Sequence, residues 1–190
     1  MTLAETEEMI AIEQNPYALS LYYEDKQTEE MCIAAVRKNG NVLRYVVKQT
    51  EEICLEAVRE NGMALRFVID KTEDVCVAAV RQTPDALKYI SDPTEAVYLE
   101  AVKRDWRVLY HIKNQTEEMV IEAIDQNPIA LMYVTNQTFE ICLRAVSCDI
   151  KDRVYVISHI KDRDMCKKVL HHLDNIRFMK TKSARRHDSC

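Results

Sequence analysis

A threonine recurs every 22 residues along most of this chain. The recurring residues are Thr28, Thr50, Thr72, Thr94, Thr116 and Thr138. The segments that follow them also agree, as in TEEICLEAVRENGMALRFV from Thr50 and TEEMVIEAIDQNPIALMYV from Thr116. Self-similarity at a period of about 20 to 50 residues is typical of solenoids, in which each repeat packs mainly on its neighbours.

Each repeat contains two helical patterns. Threonine is a good helix N-cap, because its side-chain oxygen accepts a hydrogen bond from an amide that the helix leaves unpaired. In the repeat that starts at Thr50, four apolar residues then form a stripe with helical spacing, namely Ile53, Cys54, Ala57 and Val58. Asn61 ends this helix and can cap a second one, in which we expect four residues to be buried: Ala64, Leu65, Phe67 and Val68. We therefore predict two helices of roughly 8–10 residues in each repeat, stable only when repeats stack.

The predicted fold class is all-α, an α-α superhelix (solenoid) of tandem 22-residue helix-pair repeats. Leucine-rich repeats have a similar length but need a strand pattern closed by a buried Asn, whereas the apolar spacing here is helical. Only 2 Gly and 4 Pro among 190 residues also favour helix over sandwiches, barrels and phosphate-binding glycine loops. The predicted boundaries are repeats near 4–27, 28–49, 50–71, 72–93, 94–115, 116–137 and 138–161, a capping helix at 162–179 and a disordered basic tail at 180–190.

Most of the cysteines occupy one position of the repeat. Cys32, Cys54, Cys76, Cys142 and Cys166 all fall in the apolar stripe. Equivalent helices of neighbouring repeats lie about 8–10 Å apart, which exceeds the roughly 7 Å between Cα atoms that a disulfide allows. No C-x-x-C motif occurs. We therefore predict buried free thiols, no metal site and a reducing intracellular compartment, with Cys148 and Cys190 as the more reactive thiols.

Two columns of basic residues run along the N-terminal half of the array. The first helices carry Arg37, Arg59, Arg81 and Lys103, and the second helices carry Arg44, Arg66 and Lys88. Later repeats place other residues at these positions, such as Asp125, Ser147, Tyr110 and Met132. A structural salt-bridge ladder should persist along the array, so this loss favours a local binding patch, with a solvated surface as the alternative.

Trp106 is the only tryptophan, and it lies at the start of a second helix beside Arg107. Other repeats have Gly or Pro at this helix–helix corner. An exposed Trp next to Arg has the composition of a binding hot spot. Packing of Trp106 against the neighbouring corner is the alternative that the sequence leaves open.

The phrase TEEICLEAVRENGMALRFV resembles the repeat of a domain of unknown function. The shared pattern is acidic-x-x-hydrophobic-x-x-Ala-Val-x-x-Asn-Gly-x-x-Leu-x-Tyr, and the resemblance covers residues 28–146 well and the ends loosely. Such repeats are common in giant DNA viruses of amoebae and in some intracellular bacteria. The resemblance implies a fold but no activity, cofactor or ligand, and it implies a viral or host-directed protein that works inside a eukaryotic cell.

No catalytic constellation is visible, because a strict repeat presents the same groups repeatedly, whereas catalysis needs different groups that converge. We therefore predict a protein that is not an enzyme and has no cofactor. The N-terminus lacks a basic region followed by an apolar run, and no stretch approaches about 18 uninterrupted apolar residues, so we expect no signal peptide and no membrane span.

The predicted function is a protein–protein interaction module that presents one face of the solenoid to a macromolecular partner. The candidate partner-binding residues are Arg37, Arg44, Arg59, Arg66, Arg81, Lys88, Lys103 and Trp106. RNA binding through the basic columns is one alternative, although the net charge of −5 argues against a dedicated nucleic-acid binder. A structural or self-associating viral protein is another.

Overall fold

The computed structural model describes residues 3–23, 26–147 and 153–187, and these ranges contain helices and no strand. The α-helices are α1 (Leu3–Gln14), α2 (Glu29–Lys38), α3 (Glu51–Glu60), α4 (Glu73–Gln82), α5 (Glu95–Arg104), α6 (Glu117–Gln126), α7 (Phe139–Ser147), α8 (Arg153–Ser158) and α9 (Arg163–His187). Short 3-10 helices lie between them at Pro16–Leu21, Gly40–Tyr45, Gly62–Phe67, Pro84–Tyr89, Trp106–His111 and Pro128–Tyr133. The prediction of an all-α helix-pair repeat is confirmed.

The chain divides into two compact units, Met1–Arg104 and Asp105–Cys190. Within the first unit, α2, α3, α4 and α5 pack on one another in chain order, and the short helices form a second layer that packs on them. Within the second unit, α6 and α7 are neighbours, and their short helices pack in the same way. Each unit is therefore a stack of helix pairs, in which contacts join a repeat to the next one.

The recurring threonines cap the long helices, as the sequence predicts. The Oγ1 atom of Thr50 accepts a hydrogen bond from the backbone N–H of Ile53 at 3.4 Å. The same hydroxyl donates to the carboxylate of Glu29 in the preceding repeat, at 2.7 Å. Thr72 makes the equivalent bond to Glu51, also at 2.7 Å. Threonine thus both starts its own helix and ties it to the preceding one.

The second helix of each repeat is shorter than predicted. In six repeats it is a 3-10 helix of six residues rather than an α-helix of eight to ten, as at Gly40–Tyr45. In the repeat predicted at 138–161 it is α8, an α-helix that is also only six residues long. Asn39 before it and Val46 after it both have extended backbone, with φ values of −156° and −77°. The long helix takes 10 of the 22 residues. Extended residues are needed at each reversal of the chain, so only about two tight turns remain for the second helix.

The core lies between the two layers. The apolar stripe of each long helix is buried, as at Ile53, Cys54, Ala57 and Val58. Ala64 and Leu65 of the short helix, and Val68 directly after it, complete the core beneath the stripe. Phe67, which the sequence places in the core, is only half-buried. Its ring lies beneath the Arg66 guanidinium instead, 4.5 Å from the Cζ atom to the ring centroid.

The C-terminal helix is longer than the capping helix that the sequence predicts. The α9 helix runs Arg163–His187, past residue 179 and into the segment expected to be a disordered tail. Residues 188–190, Cys148 and Cys190 lie outside the described residues. Among the described helices, none combines the length and apolar character that crossing a lipid bilayer would require.

Candidate interaction surfaces

The first basic column forms ion pairs between successive long helices. The Nε atom of Arg37 donates to Oε2 of Glu56 at 2.6 Å, and Nε of Arg81 donates to Oε1 of Glu100 at 2.8 Å. These hydrogen bonds lower the pKa of both carboxyl groups below their ordinary values. Both arginines are exposed, so each pair stabilises the stack only weakly.

Arg59 and Lys103 complete this column with different contacts. Nη1 of Arg59 donates to Oε1 of Glu56 in its own helix at 2.8 Å. Lys103 is exposed in the last turn of α5. Its charge adds to the effect of Arg81 in lowering the pKa of Glu100.

The second unit contains an equivalent inter-helix ion pair with its charges exchanged. Asp125 stands where earlier repeats carry Arg or Lys, and Arg144 stands where α3 and α5 carry Glu. Nε and Nη2 of Arg144 donate to the two carboxylate oxygens of Asp125, both at 2.6 Å. The disappearance of the basic residue at 125 is therefore a charge exchange that preserves the ion pair. Comparison of equivalent repeat positions does not reveal this pair, because its two residues lie 19 apart in the chain.

The second basic column has a different environment. Each cation lies over the aromatic ring of the next residue in the chain. The distances to the ring centroid are 4.6 Å for Arg44 over Tyr45, 4.5 Å for Arg66 over Phe67 and 5.2 Å for Lys88 over Tyr89. Arg44 also donates to the Tyr45 hydroxyl at 2.6 Å, and Arg66 donates to Oδ1 of Asn41 at 3.2 Å.

Trp106 packs within the second unit. Its ring stacks on that of Tyr133 in the next short helix, with centroids 5.9 Å apart and planes at 25°. Tyr110 meets the Tyr133 ring edge-on at 5.3 Å and is itself 67% exposed. Of the two roles left open for Trp106, the structure shows the packing contact. Trp106 and Tyr133 are half-buried, and Tyr110 is the most exposed of the three rings.

A glutamine directly before the capping threonine joins neighbouring repeats, a contact that the sequence analysis did not predict. Nε2 of Gln49 donates to the Phe67 carbonyl at 2.9 Å, and its Oε1 accepts from the Ile69 N–H at 3.0 Å. Equivalent bonds are made by Gln27, Gln115 and Gln137. We call this contact the glutamine clamp. The recurrent Gln-Thr dipeptide was the available signal.

Lys71 replaces the glutamine in one repeat. Its Nζ atom donates to the Val68 carbonyl at 3.0 Å. Val68 lies in the same repeat as Lys71, whereas the clamp donates to a carbonyl of the next repeat, so this bond does not replace the first half of the clamp. An ammonium group has no acceptor, so Lys71 cannot supply the second half.

Two glycines, Gly40 and Gly62, allow close packing of a short helix on the next long helix. A Cβ atom on Gly62 would lie 2.4 Å from the carbonyl oxygen of Ala79, and one on Gly40 would lie 2.2 Å from that of Ala57. The Gly62 N–H donates to Oε1 of Gln82 at 2.7 Å. These contacts explain why Asn-Gly recurs at this corner in two consecutive repeats.

The cysteine column is buried at four positions. Cys32, Cys54, Cys76 and Cys142 are buried free thiols, and Cys166 is half-buried. Burial raises the pKa of Cys32 and Cys142 from 9.0 to about 11. A raised pKa keeps the thiol protonated and slow to react. Within the described ranges, no three His, Cys, Asp or Glu side chains are grouped so that they could hold a metal ion.

Comparison with known families places a recognised repeat in the first unit. Residues 28–72 and 50–93 each match a domain of unknown function (DUF4116), and the second match begins one repeat after the first. The match covers part of the range over which the sequence resembles a repeat family of unknown function. No curated protein and no solved structure matches this chain.

Proposed function

We propose that this chain is a non-catalytic protein–protein interaction module, and that Arg44, Arg66 and Lys88 form its principal binding surface. The observation that carries the proposal is the contrast between the two basic columns. In the first column Arg37 and Arg81 are paired with glutamates of the next helix. In the second, no carboxylate pairs with any of the three cations among the described residues, and all three are exposed.

The contact of each cation with its ring supports this role. A guanidinium on an aromatic face is held in place and keeps donors free for a partner. Successive repeats space the cations about 8–10 Å apart, as packed helices do. Charge-assisted hydrogen bonds to an acidic partner would therefore form without extensive ordering of long side chains.

Charge reversal tests this surface. In the triple variant R44E/R66E/K88E, we expect loss of the protein partner captured from cell lysate, with unchanged helical circular dichroism. The matched control K38E/R104E/K168E changes the net charge equally at exposed cations outside the second column. The proposal is wrong if the triple variant captures the same partner as the wild type, or if the control loses it as well.

RNA binding is the second candidate, because basic residues beside aromatic rings also occur on RNA-binding surfaces. Here one face of each ring lies under a cation and the rings are half-buried, which leaves less aromatic surface for base stacking. Nuclease treatment before capture separates the two. An RNA partner would be lost on nuclease treatment, and its affinity would fall steeply with salt because neutralised phosphates release counterions. Self-association, the third possibility, would appear in analytical ultracentrifugation of the protein alone.

We also propose that the protein works in the reducing interior of a host cell, as a viral or host-directed component. Buried free thiols in four repeats support the compartment. The resemblance to repeats common in giant viruses supports the source. Recovery of the protein from its natural setting with these thiols oxidised would contradict the compartment.

A further inference from the structure

In the first unit, the ladder of ion pairs on the long helices is interrupted between α3 and α4. Positions 56 and 100 are glutamates that pair with arginines of the preceding helix, whereas the equivalent position 78 is alanine. The ladder joins residues 19 apart, so the missing carboxylate is the one that would face Arg59. Arg59 donates instead to Glu56 in its own helix.

A groove between α3 and α4 occupies this gap. Its volume is about 530 Å³, and it is lined by Leu55, Arg59, Asp74, Val77, Ala78, Arg81 and Gln82. Leu55, Val77 and Ala78 are half-buried and supply its apolar surface. Arg59 and Arg81 are the cations of the lining, and Asp74 lies one helical turn before Ala78.

The two guanidinium groups retain donors for a ligand. Arg59 uses Nη1 and Arg81 uses Nε in their ion pairs, out of five N–H donors on each group. Their side chains are 62% and 63% exposed. Two cations beside an aliphatic surface are complementary to a carboxylate that adjoins an apolar side chain.

We propose that this groove binds an acidic side chain, Glu or Asp, followed or preceded by an aliphatic residue in a partner protein. The carboxylate would lie over Ala78 and accept from Arg59, in the place that glutamate holds on the neighbouring helices. The aliphatic residue would contact Leu55 and Val77. Asp74 repels the carboxylate at the other end and so fixes the orientation of the segment. The inference rests on the proposed function, to which it adds the chemistry of a second contact on the long helices.

A phosphodiester backbone could also meet the two arginines, but the apolar surface and Asp74 favour the acidic peptide. A single substitution tests whether the groove itself is the binding site. Ala78→Glu places a carboxylate of the chain's own opposite Arg59 and fills the space. Ala34→Glu is the matched control, because it adds the same charge at the equivalent position of α2, outside the groove.

The experiment is selection of a random octapeptide library on the full-length protein, with affinities of the selected peptides measured by fluorescence anisotropy. We expect enrichment of Glu or Asp beside Leu, Ile, Val or Met. Affinity should fall at least tenfold in Ala78→Glu, and should be unchanged in Ala34→Glu and in the charge control K38E/R104E/K168E. Ala78→Leu, which fills the groove without charge, should weaken binding as well, and circular dichroism checks that each variant is folded.

Three results would overturn the groove as an acidic-peptide site. They are the absence of such enrichment, equal binding of the selected peptides by Ala78→Glu, and tighter binding of an octauridylate probe than of the peptides at the same salt. Failure of the proposed function appears separately, as partner capture that survives R44E/R66E/K88E, so the two outcomes can be told apart.

Discussion

The two units, Met1–Arg104 and Asp105–Cys190, share one frame and differ in surface chemistry. Both cap long helices with threonine, and both contain glutamine clamps, at Gln49 and at Gln115. Yet three short-helix rings of the first unit lie under cations, as at Arg66 over Phe67, whereas Trp106, Tyr110 and Tyr133 of the second unit pack on one another.

The inter-helix ion pair shows the same division. In the first unit the arginine is on the earlier helix, and in the second unit it is on the later one. A pair works equally in either direction, so the frame does not dictate the sign of charge along the array. The repeated structure instead requires the glutamine clamp, the threonine N-cap and the buried apolar stripe of each long helix. Surface charge is therefore the property that can be set by a partner.

The largest expected effect concerns the thiols, which should behave alike in the two units. The pKa of Cys32 and of Cys142 is about 11 in place of 9.0. The thiolate fraction at pH 8 is therefore about a hundredfold below that of the unfolded chain. In the native protein, Cys32 and Cys142 should react with a disulfide reagent at least that much more slowly than they do in urea, whereas Cys148 and Cys190 should react first.

The same shift makes stability depend on pH in one direction. Because the folded pKa lies above the unfolded one, the unfolded state loses its protons first, and the free energy of unfolding should fall as pH rises from 9 to 11. Urea denaturation across this range measures it. Fast modification of native Cys32 or Cys142, or stoichiometric zinc in the purified protein, would contradict the packing of this column.

Truncation of a core leucine has the next largest expected effect, and it tests whether the core contributes equally to stability in the two units. Leu65 and Leu131 occupy the same repeat position in different units, and both are fully buried. Replacement by alanine should lower the free energy of unfolding by about 2–5 kcal/mol at either site. Leu21→Ala, at a residue 78% exposed, is the control and should have little effect. If only one of the two substitutions lowered the free energy of unfolding by this much, the core packing of the two units would not be equivalent.

Removal of a glutamine clamp should have an intermediate effect in both units. Gln49→Ala and Gln115→Ala each leave backbone carbonyl and N–H groups without their partner, at a cost of about 1–3 kcal/mol. Lys71→Gln should raise stability, because it supplies the missing acceptor and donor. Chemical denaturation measures all three, with the exposed Gln14→Ala as control. If Lys71→Gln lowered the free energy of unfolding, a glutamine at this position would not form a stabilising clamp.

The smallest effect tests the exchanged ion pair. Arg144→Glu should destabilise the second unit slightly, and the double variant D125R/R144E should recover that loss by adopting the polarity of the first unit. The expected coupling is about 0.2–1 kcal/mol, since both side chains are nearly half exposed. A double-mutant cycle at low and high salt measures it. No recovery in the double variant would show that the direction of the pair matters.

Part of the site could be anticipated from sequence, and part could not. The basic columns, the capping threonines and the buried cysteines follow from position in the repeat, because every repeat places a given residue in the same local environment. The glutamine clamp and the partner of Arg144 were missed, since both depend on residues in the next repeat. Whether Trp106 is exposed or packed was also undecided, because its contact is Tyr133 in another short helix.

By itself, the sequence determined the repeat length, the all-α class, the long helices and the apolar stripe that each one buries. These follow from local propensity and helical spacing, which act within about ten residues. Only the tertiary structure decided that most second helices are short 3-10 helices, which cations pair with carboxylates and which lie over rings, and where Ala78 leaves a groove. Those outcomes depend on distances between residues about 20 apart in the chain, which stacking brings together and local pattern does not encode.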